Sequence, residues 1–359
     1  MGAMRSIALV LHSAPALLSQ TKLERVNGRE AYVLENGLIR VAALRGGGHL
    51  AEIRLISSDP KKNINPMRVP HYPTIDPHTY DPTSHDAVYG DSPHRWLSSG
   101  YMGHLLCFPF YGPPSSEEEV KAGLGNHGEA PIVEWKRTRD EVGALWYGAD
   151  LPKTQYRVER RITLAAGSRQ VRVEEWVENL ANYDRPFQWM QHATFGPPFV
   201  EPGRNFLDAS VTQGRTAEFG PMTSKPNSGG YTALLADPSR KQQFFTLYHT
   251  GYKVLVGYVY PSEGNPWLAD WQENQRNTVL PWNGKVIARG IEFGNSPYAE
   301  GLRKAIERKS HFGVPSYGWI GARQRLKNEF TVFLEEIPES FSGVTDARIE
   351  GGKVVVDRR

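Results

Sequence analysis

Three things are scarce in this chain. It has one cysteine, Cys107, among 359 residues, so no intramolecular disulfide staples the fold, and folding does not depend on an oxidising compartment. Charge of one sign is not in excess either: 42 Lys and Arg stand against 39 Asp and Glu, for a formal net charge of +3 without a block of five like charges. That balance lacks the basic stripe a phosphate backbone or an anionic lipid surface requires, so neither nucleic acid nor membrane is an expected partner. Long apolar runs are missing as well. The stretch Ile7 to Leu11 and Ala14 to Leu18 is interrupted by His12, Ser13 and Pro15, which is too broken for a spanning helix. A cytoplasmic location is expected, a short export signal headed by Arg5 being the alternative.

Backbone punctuation is abundant: 35 glycines and 26 prolines, a load that argues against long uninterrupted helices. Hydrophobic residues make up 39 % and aromatics 11 %, enough for a large core and too much for a disordered chain. The dominant period is two. Tyr156, Val158, Ile162 and Leu164, then Ala165-Ala166-Gly167-Ser168, then Val171, Val173 and Val177 read as a hairpin with one wet face carrying Arg157, Arg161, Arg172, Glu174 and Glu178. Similar runs occur at 31–34, 38–44, 132–135, 244–248, 254–259, 286–291, 330–334 and 354–356. They predict an all-β protein, a large antiparallel sandwich. Helix signals are confined to Ser115-Ser116 before Glu117 to Glu119 and to Ala299 to Lys309 after Pro297. With no repeat and no linker, the expected organisation is an extension over 1–24 and one domain over 25–359.

The segment from Asn65 to His94 holds six prolines interleaved with four histidines and four aspartates, a pattern that predicts an ordered functional loop. His71, Asp76, His78, Asp81, His85, Asp86, Asp91 and His94 match no established zinc spacing, so a rigid lid is expected there, a divalent-ion site being the alternative. Gly46-Gly47-Gly48 reads as a strand turn, because no Lys-Ser/Thr or helix follows to make a phosphate loop.

Three titratable residues stand out. His192 leaves a strand-like run before Gly196-Pro197-Pro198, where a cleft-facing imidazole could donate a proton near neutral pH; the structural alternative is a buried histidine on a backbone carbonyl. His127, between Asn126 and Gly128, is either approached closely by another stretch of chain or a ligand, or is a plain turn residue. Glu292 sits in an apolar strand, and alternation puts Gly290 and Gly294 on its face. That leaves room for a ligand above a carboxylate whose pKa burial would raise.

In that order, His127-Gly128, Gln191-His192-Ala193-Thr194-Phe195-Gly196 and Gly290-Ile291-Glu292-Phe293-Gly294 resemble the three signature regions of the aldose 1-epimerase (galactose mutarotase) superfamily. The segments Glu35 to Val41 with Gly46 to Leu50, and Cys107-Phe108-Pro109-Phe110-Tyr111-Gly112, are similar to further stretches of that superfamily, so the resemblance runs over about residues 25 to 337. It implies a β-supersandwich with a carbohydrate cleft, Glu292 as the base on the anomeric hydroxyl, His192 as the acid on the ring oxygen, and His127 as a second hydrogen-bonding or acid group, with no metal or cofactor. Cys107 then reads as a core residue. The chain departs from the pattern at His104, which stands where many members carry a sugar-gripping arginine, and at the substrate-holding Asp, for which Asp270 and Glu273 are substitutes. The expected substrate contacts are His104, Asn126, Trp271, Glu273 and Tyr101; a non-catalytic binder would use Trp96, Tyr101, Trp189, Trp267, Trp271 and Trp282 as stacking platforms. The expected partner is a sugar or sugar derivative, bound by a monomer or homodimer. A non-catalytic carbohydrate-binding protein, and a lyase or hydrolase using Glu273 and Glu292 as a carboxylate pair, are the rival readings.

Overall fold

A computed structural model describes residues 21–213 and 222–359. Residues 1–20, including the expected export-signal alternative, lie outside the described residues. Among the described residues the chain forms two large antiparallel sheets. One has ten strands, in the spatial order Lys22–Val26, Arg29–Glu35, Ile39–Leu44, Leu50–Leu55, His104–Cys107, Met190–Phe195, Ile287–Gly294, Trp267–Asn274, Ser228–Ala236 and Val211–Gln213. The other has eight: Asn205–Ala209, Gln242–His249, Val254–Pro261, Arg325–Glu336, Gln170–Asn179, Tyr156–Leu164, Ala144–Leu151 and Lys136–Glu141. The expected boundary between residues 24 and 25 falls inside the first strand, Lys22–Val26.

The predicted hairpin is present, Tyr156↔Asn179 through Leu164↔Val171, and Tyr156, Val158, Ile162 and Leu164 point inward as the period of two requires. Their neighbours across the gap, among them Ile53, Leu106, Ala193, Ile291 and Phe293, close the core between the sheets. Each such fully buried side chain contributes about 1.5–3 kcal/mol relative to exposure. A terminal hairpin, Val344–Glu350 with Lys353–Arg358, covers one end of the outer face of the eight-stranded sheet through Ala347 against Phe244, Leu255 and Phe333.

Two local expectations are corrected. Residues 132–135 do not form a strand: Ala130–Ile132 is a 3-10 turn, followed by a single bridge from Glu134 to Gly46. Segment 65–94 is not wholly irregular either, because Pro82–Tyr89 is a helix. Asp81 caps it by accepting from the Thr83 N–H at 3.0 Å, and Pro82 takes the first helical position, where no amide donor is needed. Helices Glu117–Lys121, capped by Ser116, and Leu302–Arg308 lie where predicted. No helix among the described residues is long and apolar enough to cross a membrane.

Candidate active site

The ten-stranded sheet builds the site by register. His192 pairs directly with Glu292 across adjacent antiparallel strands, and Thr194 pairs with Gly290. One strand further, Gly290 pairs with Trp271, which in turn pairs with Tyr231. Directly paired residues share a face, so these side chains form two rows on the surface turned away from the inter-sheet core. The alternate residues of the same strands, Gln191, Ala193, Ile291 and Phe293, point into that core.

His192 Nε2 lies 3.0 Å from Glu292 Oε1, and both side chains are buried. Burial pushes the Glu292 carboxyl well above the usual carboxylate range. It also drives the His192 imidazole down to about 3, with the nearby His104 and Arg68 adding to the effect. The contact has the geometry of an ion pair, yet burial shifts both groups toward their neutral forms, because each charge loses its solvation. Glu292 Oε2 is buried without a hydrogen-bond partner among the described residues.

The other ring nitrogen is held from behind. His192 Nδ1 is 2.8 Å from Thr194 Oγ1, and that hydroxyl is 2.6 Å from the Tyr101 phenol. One assignment satisfies the chain with neutral ends: the Glu292 carboxyl donates to Nε2, Nδ1–H donates to Thr194, Thr194 donates to Tyr101, and the phenol O–H is left for a ligand. Burial raises the Tyr101 phenol above its ordinary pKa and so keeps that proton in place.

His127 faces His192 edge-on, ring centres 5.1 Å apart, and stacks on Tyr111. Its Nδ1 accepts the Gly112 N–H at 3.1 Å, so the neutral ring carries its proton on Nε2. Burial, reinforced by His192 and His94, holds its pKa well below the ordinary imidazole value, which makes it a hydrogen-bond donor that stays neutral. Its backbone is left-handed, φ +67°, fixed by the His127 N–H on the Gly112 carbonyl at 2.7 Å. Of the two close approaches that Gly128 allows, the chain's own is the one seen: a side chain there would collide with the Phe108 carbonyl.

Gly290 is the glycine that clears the site. A Cβ there would lie 2.9 Å from Trp271 Cε3 and 3.1 Å from both Glu292 Oε1 and His192 Cε1. Gly294, expected to do the same, faces the Trp189 carbonyl and Met190 and leaves no ligand space.

These residues line a cavity of about 430 Å³. It brings together Glu292, His192, His127, Asn126, Trp271 and Tyr101, all expected from sequence, with Glu273 also on its wall. The Glu273 carboxylate is already committed, however: Oε1 accepts the backbone N–H of Arg276 at 2.6 Å and of Asn277 at 2.8 Å, anchoring the loop that follows. His104 is a correction. Its strand turns Leu105 and Cys107 toward the site and His104 toward the inter-sheet core, where it is fully buried between the Tyr258 phenol and Gln191 Oε1. Gln191 continues to Glu175, and Glu175 to Arg160, whose Nε is 2.6 Å away. Asp270 is likewise turned away, held by both ends of the Arg289 guanidinium at 3.0 and 2.9 Å.

Of the further aromatics, Trp282 lines the cavity. Trp189 donates to Glu175 in the core, Trp267 is buried beneath His311, and Trp96 packs on Arg95. Sequence reasoning missed Tyr231, Thr194 as a positioning group, and the rim residues Val279 and Leu280. From segment 65–94 only Ser92 and His94 reach the cavity; Asp76 pairs with the buried Arg29 and Asp86 with Tyr80. Among the described residues no group of three or more His, Cys, Asp or Glu side chains is placed to hold a metal ion. The one cysteine, Cys107, is buried in the cluster under the site.

The fold is the galactose mutarotase-like β-sandwich. A Klebsiella pneumoniae protein provisionally named as an aldose 1-epimerase superposes with a TM-score of 0.63 at 16 % identity, over 89 % of this chain and 83 % of that one. A galactose mutarotase-like protein from Clostridium acetobutylicum gives 0.56 at 14 % identity, over 89 % and 99 %. A galactose mutarotase related enzyme from Lactobacillus acidophilus gives 0.55 at 12 %, over 85 % and 97 %. A family model described as a domain of unknown function, DUF4432, matches residues 78–226, a span that includes Tyr101, His127, His192 and Thr194 but not Glu292. No curated protein matches the sequence.

Proposed function

We propose that this protein is a sugar isomerase of the aldose 1-epimerase type, interconverting the α and β anomers of a reducing sugar by proton transfer through Glu292 and His192. The observation that carries the reading is their 3.0 Å contact at the wall of the cavity, with Glu292 Oε2 buried and unpartnered beside it. Opening a pyranose requires a base at the anomeric hydroxyl and an acid at the ring oxygen. Both oxygens sit on one carbon, so the two catalytic groups must be immediate neighbours, as directly paired strand residues are.

The resting pair is neutral, and one proton shift from carboxyl to imidazole supplies both catalytic forms. The Glu292 carboxylate then takes the proton of the anomeric hydroxyl, the carbon–oxygen double bond forms, the bond from that carbon to the ring oxygen breaks, and His192 protonates the released oxygen. Rotation about the adjacent carbon–carbon bond and reversal of the steps give the other anomer and restore the pair. His127 donates its Nε2 proton to a sugar oxygen throughout, and Trp271 and Tyr101 offer faces for the ring. The neighbours' names, epimerase and mutarotase, belong to those proteins and agree with this chemistry. Pure sugar binding would need the aromatic walls but not a carboxyl and an imidazole in contact.

The test is Glu292→Gln, which keeps shape and removes the base. Anomer exchange is expected to fall by about 10²–10⁴ while the sugar still binds. Wild-type exchange in the variant overturns the assignment.

A further inference from the structure

The cavity, about 430 Å³, falls within the range of about 300–1,000 Å³ of sites that enclose ligands larger than one small ring, and it has two unlike zones. The inner zone is the Glu292, His192, His127 and Tyr101 cluster already described. The outer zone is built by the loop over residues 275–286. There Val279 and Leu280, 57 % and 41 % exposed, stand at the mouth beside Trp282 and Asn277.

That loop is held in one shape. The buried Glu273 carboxylate takes two of its amides, Asn277 Oδ1 accepts the Val279 N–H at 3.1 Å, Val279 O accepts from Trp282 and Asn283, and the Gln275 N–H reaches Val286 O at 2.7 Å. A carboxylate that is 1 % exposed and bound to backbone amides is a costly way to fix a loop that only covers the sheet. It is consistent with a loop whose exposed apolar side chains must be presented at a set position. Isolated exposed apolar residues are ordinary; two adjacent ones on a braced loop at the mouth of a cavity are not accounted for by packing.

We infer that the outer zone is a subsite for a second sugar ring, so that the preferred ligand is a neutral reducing disaccharide or longer saccharide that enters with its reducing end toward Glu292 and His192. The mixture of apolar faces (Val279, Leu280, Trp282) with hydrogen-bonding groups (Asn126, Asn277, Ser92) suits a second pyranose, which has an apolar face and a rim of hydroxyls, better than a purely apolar substituent. Among the described residues the Lys or Arg side chain lining this cavity is Arg276, 55 % exposed and 3.9 Å from Glu273, while Arg68 lies behind the Tyr101 ring and donates to the Tyr101 carbonyl, an environment that favours a neutral saccharide. The orientation of the saccharide rests on the isomerase reading; the existence of two ring sites does not.

The experiment is a ligand-observed NMR titration of the whole protein with glucose and galactose and with maltose, cellobiose and lactose. At least one disaccharide is expected to bind about tenfold more tightly than its monosaccharide, the gain from covering about 60 Å² of apolar surface. The double variant Val279→Ser/Leu280→Ser is expected to bring that ratio close to one, with its far-ultraviolet circular dichroism and urea midpoint confirming an intact fold. Equal affinities, or no binding of any disaccharide, overturn the inference. Size-dependent binding without anomer exchange would keep the subsite and sink the isomerase reading; exchange with equal affinities would do the reverse.

Discussion

Replacing Glu292 by Gln should remove activity and, at the same time, stabilise the fold by an amount that grows with pH. The sign follows from burial. The folded carboxyl titrates well above its ordinary 4.5, so between 4.5 and the folded pKa the native state holds a proton that the unfolded chain has lost. Native stability from this group is therefore complete below 4.5 and declines as pH rises toward the folded pKa, with a limiting slope of about 1.4 kcal/mol per pH unit. Gln has no such titration. The difference in unfolding free energy, Gln minus Glu, should increase by up to about 1.4 kcal/mol for each unit from pH 5 upward until the folded pKa is passed. His192 works in the opposite direction: its folded pKa, down to about 3, makes stability rise with pH up to the ordinary imidazole value of 6.5 and stay flat above it. That contribution is common to both proteins and largely cancels in the difference. The assay is urea unfolding of both proteins at pH 5, 6, 7 and 8, with anomer exchange measured on the same samples. A difference that does not change with pH, or a Gln variant less stable at pH 8 than at pH 5 relative to wild type, would refute a carboxyl held neutral by burial.

Other perturbations separate the site from its frame. Gly290→Ala places a methyl against Trp271, Glu292 and His192, and should lower turnover by about tenfold or more for an overpacking cost of about 1–3 kcal/mol; full activity would mean the ligand does not pass that point. Thr194→Val keeps volume but removes the partner of His192 Nδ1, and should lower kcat with little change in KM and shift the pH–rate profile, while Thr194→Ser retains both values. An equal loss in the Ser and Val variants would point to packing alone. Arg160→Met leaves the Glu175 carboxylate unpaired between the sheets and should cost about 3–5 kcal/mol in urea unfolding, partly recovered by adding Glu175→Gln; a neutral single variant would contradict a charged, desolvated pair.

Most of the sheet architecture was legible because its strands alternate. Tyr156 to Leu164 and Gln170 to Asn179 have one buried and one wet face, and that contrast is what a period of two reports. The strand His104–Cys107 is buried on both faces, so nothing in its composition tells which side faces the site, and His104 was read onto the wrong one. Glu292 was legible for the opposite reason: a lone carboxylate between glycines in an apolar strand is expensive unless used. Thr194 was hidden, since a hydroxyl in a strand is ordinary until its partner is known to be His192 Nδ1. The loop over 275–286 acquires meaning only through Glu273, whose bonds to Arg276 and Asn277 are made to the backbone and leave no trace in side-chain pattern. In segment 65–94 the density of prolines masked a short helix whose cap, Asp81-Pro82, was in plain view.

The central claim, that the His192 and Glu292 pair exchanges sugar anomers, is tested most directly by two-dimensional exchange NMR on a panel of reducing mono- and disaccharides at equilibrium. Cross-peaks between α and β anomeric protons, accelerated in proportion to wild-type protein and absent with Glu292→Gln, are predicted for at least one sugar. Exchange at the uncatalysed rate for every sugar that binds would contradict the account.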